Sequence, residues 1–162
     1  MVLRIWDIDA DDLPDADKGV GGGGSDPYLM FTLIFDDDDF ITVRTETVMN
    51  ASRVHVRFPD RLEIPLPEMF VGGKFPPKLT PAGKQTPCLV VAMWDDDAVA
   101  DGQEGINADD PMGEITLELH HTKLKRYIDR ATFDGFGGLH AFRVSFKCAA
   151  VPAAHLHGLG EG

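Results

Sequence analysis

The chain has 162 residues and a mass of 17.7 kDa, the size of one ordinary domain. Its 15 basic and 27 acidic residues give a formal charge of −12, which argues against nucleic acid and against a constitutive polybasic membrane anchor. No apolar run approaches the ~20 residues that span a bilayer, and the acidic start predicts no secretory leader. Cys88 and Cys148 sit in no C-x-x-C spacing and are too few for a disulfide framework. The expectation is a cytoplasmic protein with two reduced, buried thiols.

Strands follow one another along the chain. Residues 2–8 open with Leu3, Ile5 and Ile8 and are stopped by acids and Pro14. Residues 28–35 (YLMFTLIF) form a nearly continuous apolar, β-branched run, and 41–48 (ITVRTETV) alternate. Residues 62–66, 88–94 (CLVVAMW) and 112–119 (MGEITLEL) supply three more, and a short strand is expected at 131–136. At 142–148, Phe142, Val144, Phe146 and Cys148 alternate with polar residues, a period of two. Eight strands separated by Gly, Pro and Asp predict an all-β, antiparallel β-sandwich. Only residues 122–130 (TKLKRYIDR) read as helical, a short connector capped by Thr122. The domain is expected over residues 1–148, with 149–162 as a flexible linker-like tail.

The acids are clustered between the strands, at residues 7–17, 26, 36–39, 95–97 and 101–110. Carboxylates gathered in flexible loops suit Ca²⁺, which takes 6–8 oxygen ligands. Two carboxylates ~5 Å apart repel by roughly 3 kcal/mol at an effective dielectric of 20, so the cluster is unfavourable without a cation. Mg²⁺ wants a smaller octahedral shell, and Zn²⁺ is disfavoured by the absence of Cys and His from these loops. An EF-hand reading places Asp15, Asp17 and Asp26 at loop positions 1, 3 and 12, but Val20 stands where Gly is required and the flanks are strands.

The string Leu3-Arg4-Ile5-Trp6, then residues 10–17 (ADDLPDAD), then Ser25-Asp26-Pro27-Tyr28, resembles the opening of a C2 domain. Residues 89–97 (LVVAMWDDD) resemble that family's later "L-x-V-x-V-x-D-x-D", and Asp110-Pro111-Met112-Gly113-Glu114 its closing "D-x-x-G-E". Residues 47–63 match its middle segment weakly, lacking Pro and Trp. The resemblance spans residues 1–148, and the strand that opens the chain together with the one that ends it favours the circularly permuted, type II strand order.

The resemblance implies five Ca²⁺ ligands: Asp17 and Asp26 in the first loop, and Asp95, Asp97 and Asp110 in the third. It further implies two or three Ca²⁺ ions and loops that dock on phospholipid. The glycine run 21–24 and an insertion at 98–109 depart from the pattern. Asp15 therefore competes with Asp17 and Asp109 with Asp110, Asp101 and Glu104 offer extra ligands, and Asp96 points away by strand alternation. Val20, Val99 and Ile106 are the apolar loop residues available for membrane contact, and Arg53, Arg57 and Arg61, near the second loop, are candidates for headgroup contact, with an ordinary solvated face as the preferred reading.

Other features have plain explanations. Residues 36–39 are expected to form a solvated hairpin turn, and His120-His121 and His155-x-His157 are expected to be surface histidines. Trp6 and Trp94 pack at the core or loop edge, and the Asn50-Ala51-Ser52 sequon is silent in a cytoplasmic protein. No nucleophile elbow, catalytic triad order or P-loop occurs, so an enzyme is not expected. The expected function is a Ca²⁺-dependent phospholipid-binding module peripheral to membranes; the alternative is a Ca²⁺-independent module that binds a protein partner.

Overall fold

The computed structural model describes residues 2–14, 26–35, 39–49, 51–66, 78–79, 85–86, 88–96, 110–118, 125–135 and 139–151. They form eleven strands: β1 (Val2–Asp11), β2 (Pro27–Ile34), β3 (Phe40–Arg44), β4 (His55–Phe58), β5 (Leu62–Pro65), β6 (Lys78–Leu79), β7 (Gln85–Thr86), β8 (Cys88–Asp95), β9 (Asp110–Glu118), β10 (Lys125–Gly135) and β11 (Phe142–Val151). All eight expected strands are present. β4 adds to them, and β6 pairs with β7 in a short two-stranded ladder between β5 and β8 in the chain.

Every pairing is antiparallel. One sheet runs β10-β11-β1, with β4 and β5 sharing the far edge of β1: β4 pairs with its second half and β5 with its first. The other runs β3-β2-β8-β9, and β10 crosses between them through Asp134↔Glu114 and Gly135↔Gly113. First and last strands lie side by side, with Val2 opposite Val151, which is the permuted order expected. β11 thus continues three residues beyond the expected boundary at 148.

Alternation decides what fills the space between the sheets. On β2, Leu29, Phe31 and Leu33 are fully buried, and on β8 so are Leu89, Val91 and Met93. Phe31 meets Phe146 of β11 edge-to-face, ring centroids 5.3 Å apart at 83°, so the two sheets are locked across the core. Cys88 and Cys148 are both buried thiols.

β1 departs from strict alternation, and its sequence shows where. After Val2, buried at its start, its buried residues are Leu3, Ile5, Ile8 and Ala10, so the inward set moves from odd to even numbers at Asp7. Opposite β11, Trp6 faces Lys147 and Asp9 faces Ser145, which leaves one extra residue on β1. Asp7 absorbs it with φ of 51°, a left-handed conformation that Asp tolerates and β-branched residues do not. Asp7→Val is expected to lower the melting temperature by about 5 °C, whereas Asp7→Gly stays within about 2 °C of the parent; urea and thermal melts of the two variants check this.

The connector helix over 122–130 is not found: residues 125–130 belong to β10, and 122–124 lie outside the described residues. Leu124, Tyr127 and Ile128 carry helix-like spacing, but the outer edge of β11 needs a partner for its N–H and C=O groups. Lys125 to Ile128 supply it by pairing with Ala149 to Phe146, and this ladder overrides local propensity.

Candidate metal and membrane rim

The register gathers distant residues at one end of the sandwich. Pro27, which opens β2, faces Asp95, which closes β8, and Asp95 faces Asp110, which opens β9. Asp26, Asp95 and Asp110 therefore stand at the ends of three adjacent strands. Asp95 continues the inward row Leu89-Val91-Met93 at the point where the core runs out, and it is fully buried; Asp26 is 5% exposed and Asp110 is exposed. The Asp26 backbone N–H donates to Asp95 Oδ1 at 2.8 Å, fixing that carboxylate in place. Asp96, the next residue, turns to the second loop: its N–H donates to the Asp26 carbonyl at 2.9 Å, and its Oδ2 accepts from Thr47 Oγ1 at 2.8 Å. Arg44 braces Thr47 from below, donating to Oγ1 at 2.8 Å while its guanidinium lies 3.5 Å over the Tyr28 ring.

The first two rim loops are tied at their bases. Asp12 N–H donates to the Val54 carbonyl and Leu13 N–H to that of Arg53, at 3.2 and 2.8 Å. Arg143 pairs with Asp12 at 2.9 Å, and His140 Nε2 contacts the Asp12 carbonyl. Asp12 itself has φ of 60°, turning the chain out of β1 into the first loop. Val54, 75% exposed, and Met49, 47% exposed, stand in the second loop beside this rim. Neither was expected from the sequence, because a lone Val or Met in a polar connection gives no periodic signal. β2 hands over to β3 at the opposite end of the sandwich, where the Phe35 N–H donates to the Asp39 carbonyl at 2.9 Å; the acids 36–38 lie outside the described residues.

Of the five expected ligands, three are thus set at one rim; Asp17 and Asp97 lie outside the described residues, as do Asp15, Asp101, Asp109, Glu104, Val20, Val99 and Ile106. Oxygen-only donors on strand ends, one of them buried and held by a backbone N–H, fit a hard cation such as Ca²⁺. Asp26, Asp95 and Asp110 do not, however, form a trio at ligand spacing on their own. Among the described residues, the three side chains whose ligand atoms lie within 4.8 Å of one another are Asp9, Asp11 and His55, on the outer face of β1 and β4. This cluster escaped the sequence reading because His55 reaches Asp11 only through the β1–β4 register.

That outer face is an ion-pair network. Asp7 holds Lys147 at 2.9 Å and Arg57 at 3.2 Å. Its hydrogen bond to Lys147 keeps its carboxyl below the usual range, and Arg57 adds to the effect. Burial pushes the Asp9 carboxyl upward, with His55 opposing and Asp11 reinforcing the rise. Arg57 is therefore engaged by an acid of its own chain, and Arg53 Nε lies 3.4 Å from the Leu13 carbonyl.

A two-sheet antiparallel sandwich with this strand order defines an all-β class of domain, and within it the fold is that of the C2 domain. Among solved structures, the chain is similar to the first C2 domain of plant Extended Synaptotagmin 1, with a TM-score of 0.59 at 11% identity, covering 93% of this chain and 96% of that one. It is also similar to Extended-Synaptotagmin 2, in a structure of its SMP domain and two C2 domains, with a TM-score of 0.55 at 18% identity over 91% of this chain. A third is human GIVD cytosolic phospholipase A2 in complex with methyl gamma-linolenyl fluorophosphonate and terbium chloride, with a TM-score of 0.51 at 18% identity over 93% of this chain. The chain spans 26% and 17% of the latter two, and at these identities the likeness is one of fold. No protein-family model matches the sequence, and a search of the curated proteins finds no relative.

Proposed function

We propose that the chain is a Ca²⁺-dependent phospholipid-binding module, with Asp17, Asp26, Asp95, Asp97 and Asp110 as the ligands of two or three ions. The observation that supports this reading is the β2-β8-β9 register, which sets Asp26, Asp95 and Asp110 side by side at one rim. Asp95 is held by the Asp26 N–H, and the Arg44-Thr47-Asp96 chain of hydrogen bonds fixes the neighbouring loop. When bound, Ca²⁺ supplies positive charge at an otherwise acidic rim and open coordination positions for lipid phosphate oxygens. With a formal charge of −12, the chain alone repels an anionic surface, so docking depends on that charge reversal at the rim. Val54 and Met49 then supply apolar contact from the second loop, and nothing in this role calls for catalysis.

The alternative, a Ca²⁺-independent module for a protein partner, draws support from the failure of Asp26, Asp95 and Asp110 to converge as a trio. Thermal melting in chelator against millimolar Ca²⁺, paired with sedimentation of phosphatidylserine-containing vesicles, separates the two. The proposal expects a rise of about 5 °C or more when Ca²⁺ stands roughly 100-fold above its Kd, with pelleting only in Ca²⁺. Val54→Asp keeps the thermal shift and weakens vesicle binding about tenfold, since burying one Val is worth roughly 1.5–3 kcal/mol. No thermal shift, or equal pelleting in chelator, overturns Ca²⁺ dependence.

A further inference from the structure

We propose that Asp9, Asp11 and His55 form a site for a divalent transition metal, Zn²⁺ foremost, on the face of the β1–β4 ladder and separate from the rim. The three ligand atoms lie within 4.8 Å of one another, and all three residues stand on paired strands. Asp9 and Asp11 are two apart on β1, hence on one face, and Asp11 faces His55 directly across the pair. A ladder holds such a set more firmly than a loop does, so little order has to be created on binding.

The donor chemistry separates this cluster from the rim. One imidazole nitrogen and two carboxylates suit Zn²⁺ and its transition-metal neighbours, whereas Ca²⁺ prefers oxygen alone. His55 Nδ1 lies 2.7 Å from Asp11 Oδ1. A tetrahedral Zn²⁺ bonded to both would separate them to about 3.3 Å, from bond lengths of roughly 2.0–2.2 Å. The His55 side chain is 53% exposed and free to back away by that amount. Asp9 is the unused member: among the described residues its carboxylate makes no hydrogen bond or ion pair, although it is half-buried. Cationic side chains of the neighbouring strands pair with other acids, Arg57 and Lys147 with Asp7, and Arg143 with Asp12. Arg57, directly opposite Asp9 on β4, acts on it through charge while making its ion pair with Asp7, so the Asp9 oxygens stay open to a metal.

Such a metal would clamp β1 to β4 immediately below the backbone bonds that join Asp12 to Val54 and Leu13 to Arg53. It would therefore stiffen the common base of the first two rim loops.

The test is calorimetric titration of the full chain with Zn²⁺, alongside ¹⁵N spectra of the histidine rings. The His55 ring signals are expected to shift with Zn²⁺. His55→Gln and Asp9→Asn should each remove one equivalent of binding or weaken it at least about tenfold, since losing a ligand exceeds the 10–100-fold loss that second-shell changes bring. Asp95→Asn should leave this equivalent intact, and His55→Gln should leave the Ca²⁺ melting response intact, so each site fails on its own. Both His55→Gln and Asp9→Asn alter exposed or half-buried polar groups, and metal-free melts check that they fold. A His55 ring unmoved by Zn²⁺, or an equivalent that persists in both variants, overturns the proposal.

Discussion

Phe146→Ala is expected to remove about 3–5 kcal/mol of folding stability and lower the melting temperature by roughly 10 °C or more. Phe146 is fully buried and is the β11 half of the edge-to-face contact with Phe31 of β2, so its truncation opens a void where the two sheets touch. The loss exceeds that of burial alone because an oriented aromatic pair adds about 0.5–1.5 kcal/mol. Urea unfolding measures it, with an unchanged slope showing that the native fold is retained. Phe40→Ala is the control: Phe40 is 62% exposed on an edge strand and should change stability by no more than about 0.5 kcal/mol. A loss below about 1 kcal/mol at Phe146 would mean that the sheets do not face each other as described.

Asp95→Asn is expected to weaken Ca²⁺ binding at least about 100-fold while leaving the metal-free fold as stable as the parent, or more so. Asn matches Asp in shape, and its amide oxygen can still accept the Asp26 N–H that now reaches Asp95 Oδ1 at 2.8 Å. What disappears is one negative charge on a fully buried group at an acidic rim, where carboxylates ~5 Å apart repel by roughly 3 kcal/mol at an effective dielectric of 20. Parallel melts of parent and variant with chelator and with Ca²⁺ read both effects. A variant with an undiminished Ca²⁺ response would remove Asp95 from the ligand set.

Much of the fold is written in alternation. Phe142, Val144, Phe146 and Cys148 reveal β11 at a glance, and all four are buried. The β1 bulge is also legible once Leu3, Ile5, Ile8 and Ala10 are aligned, because the inward spacing stretches by one residue at Asp7. β4 is harder: His55-Val56-Arg57-Phe58 alternates correctly but is only four residues long, too short to stand out from a loop. Residues 125–130 mislead for a different reason, since Leu124, Tyr127 and Ile128 have helical spacing and only the need to pair β11 makes them a strand.

The site divides in the same way. Asp26 and Asp95 are 69 residues apart, so their hydrogen bond follows from strand register and not from any local pattern. It was the order of short motifs along the chain, more than any one of them, that pointed to these positions. His55 and Asp11 are 44 residues apart, with no motif to join them, and the cluster they form with Asp9 emerges only from the folded ladder.

A crystal structure of the full chain grown in millimolar Ca²⁺ tests the account most directly. It should show at least one ion at the rim with Asp26 and Asp95 carboxylate oxygens about 2.3–2.6 Å away. Clear density for both side chains with no ion between them would contradict it.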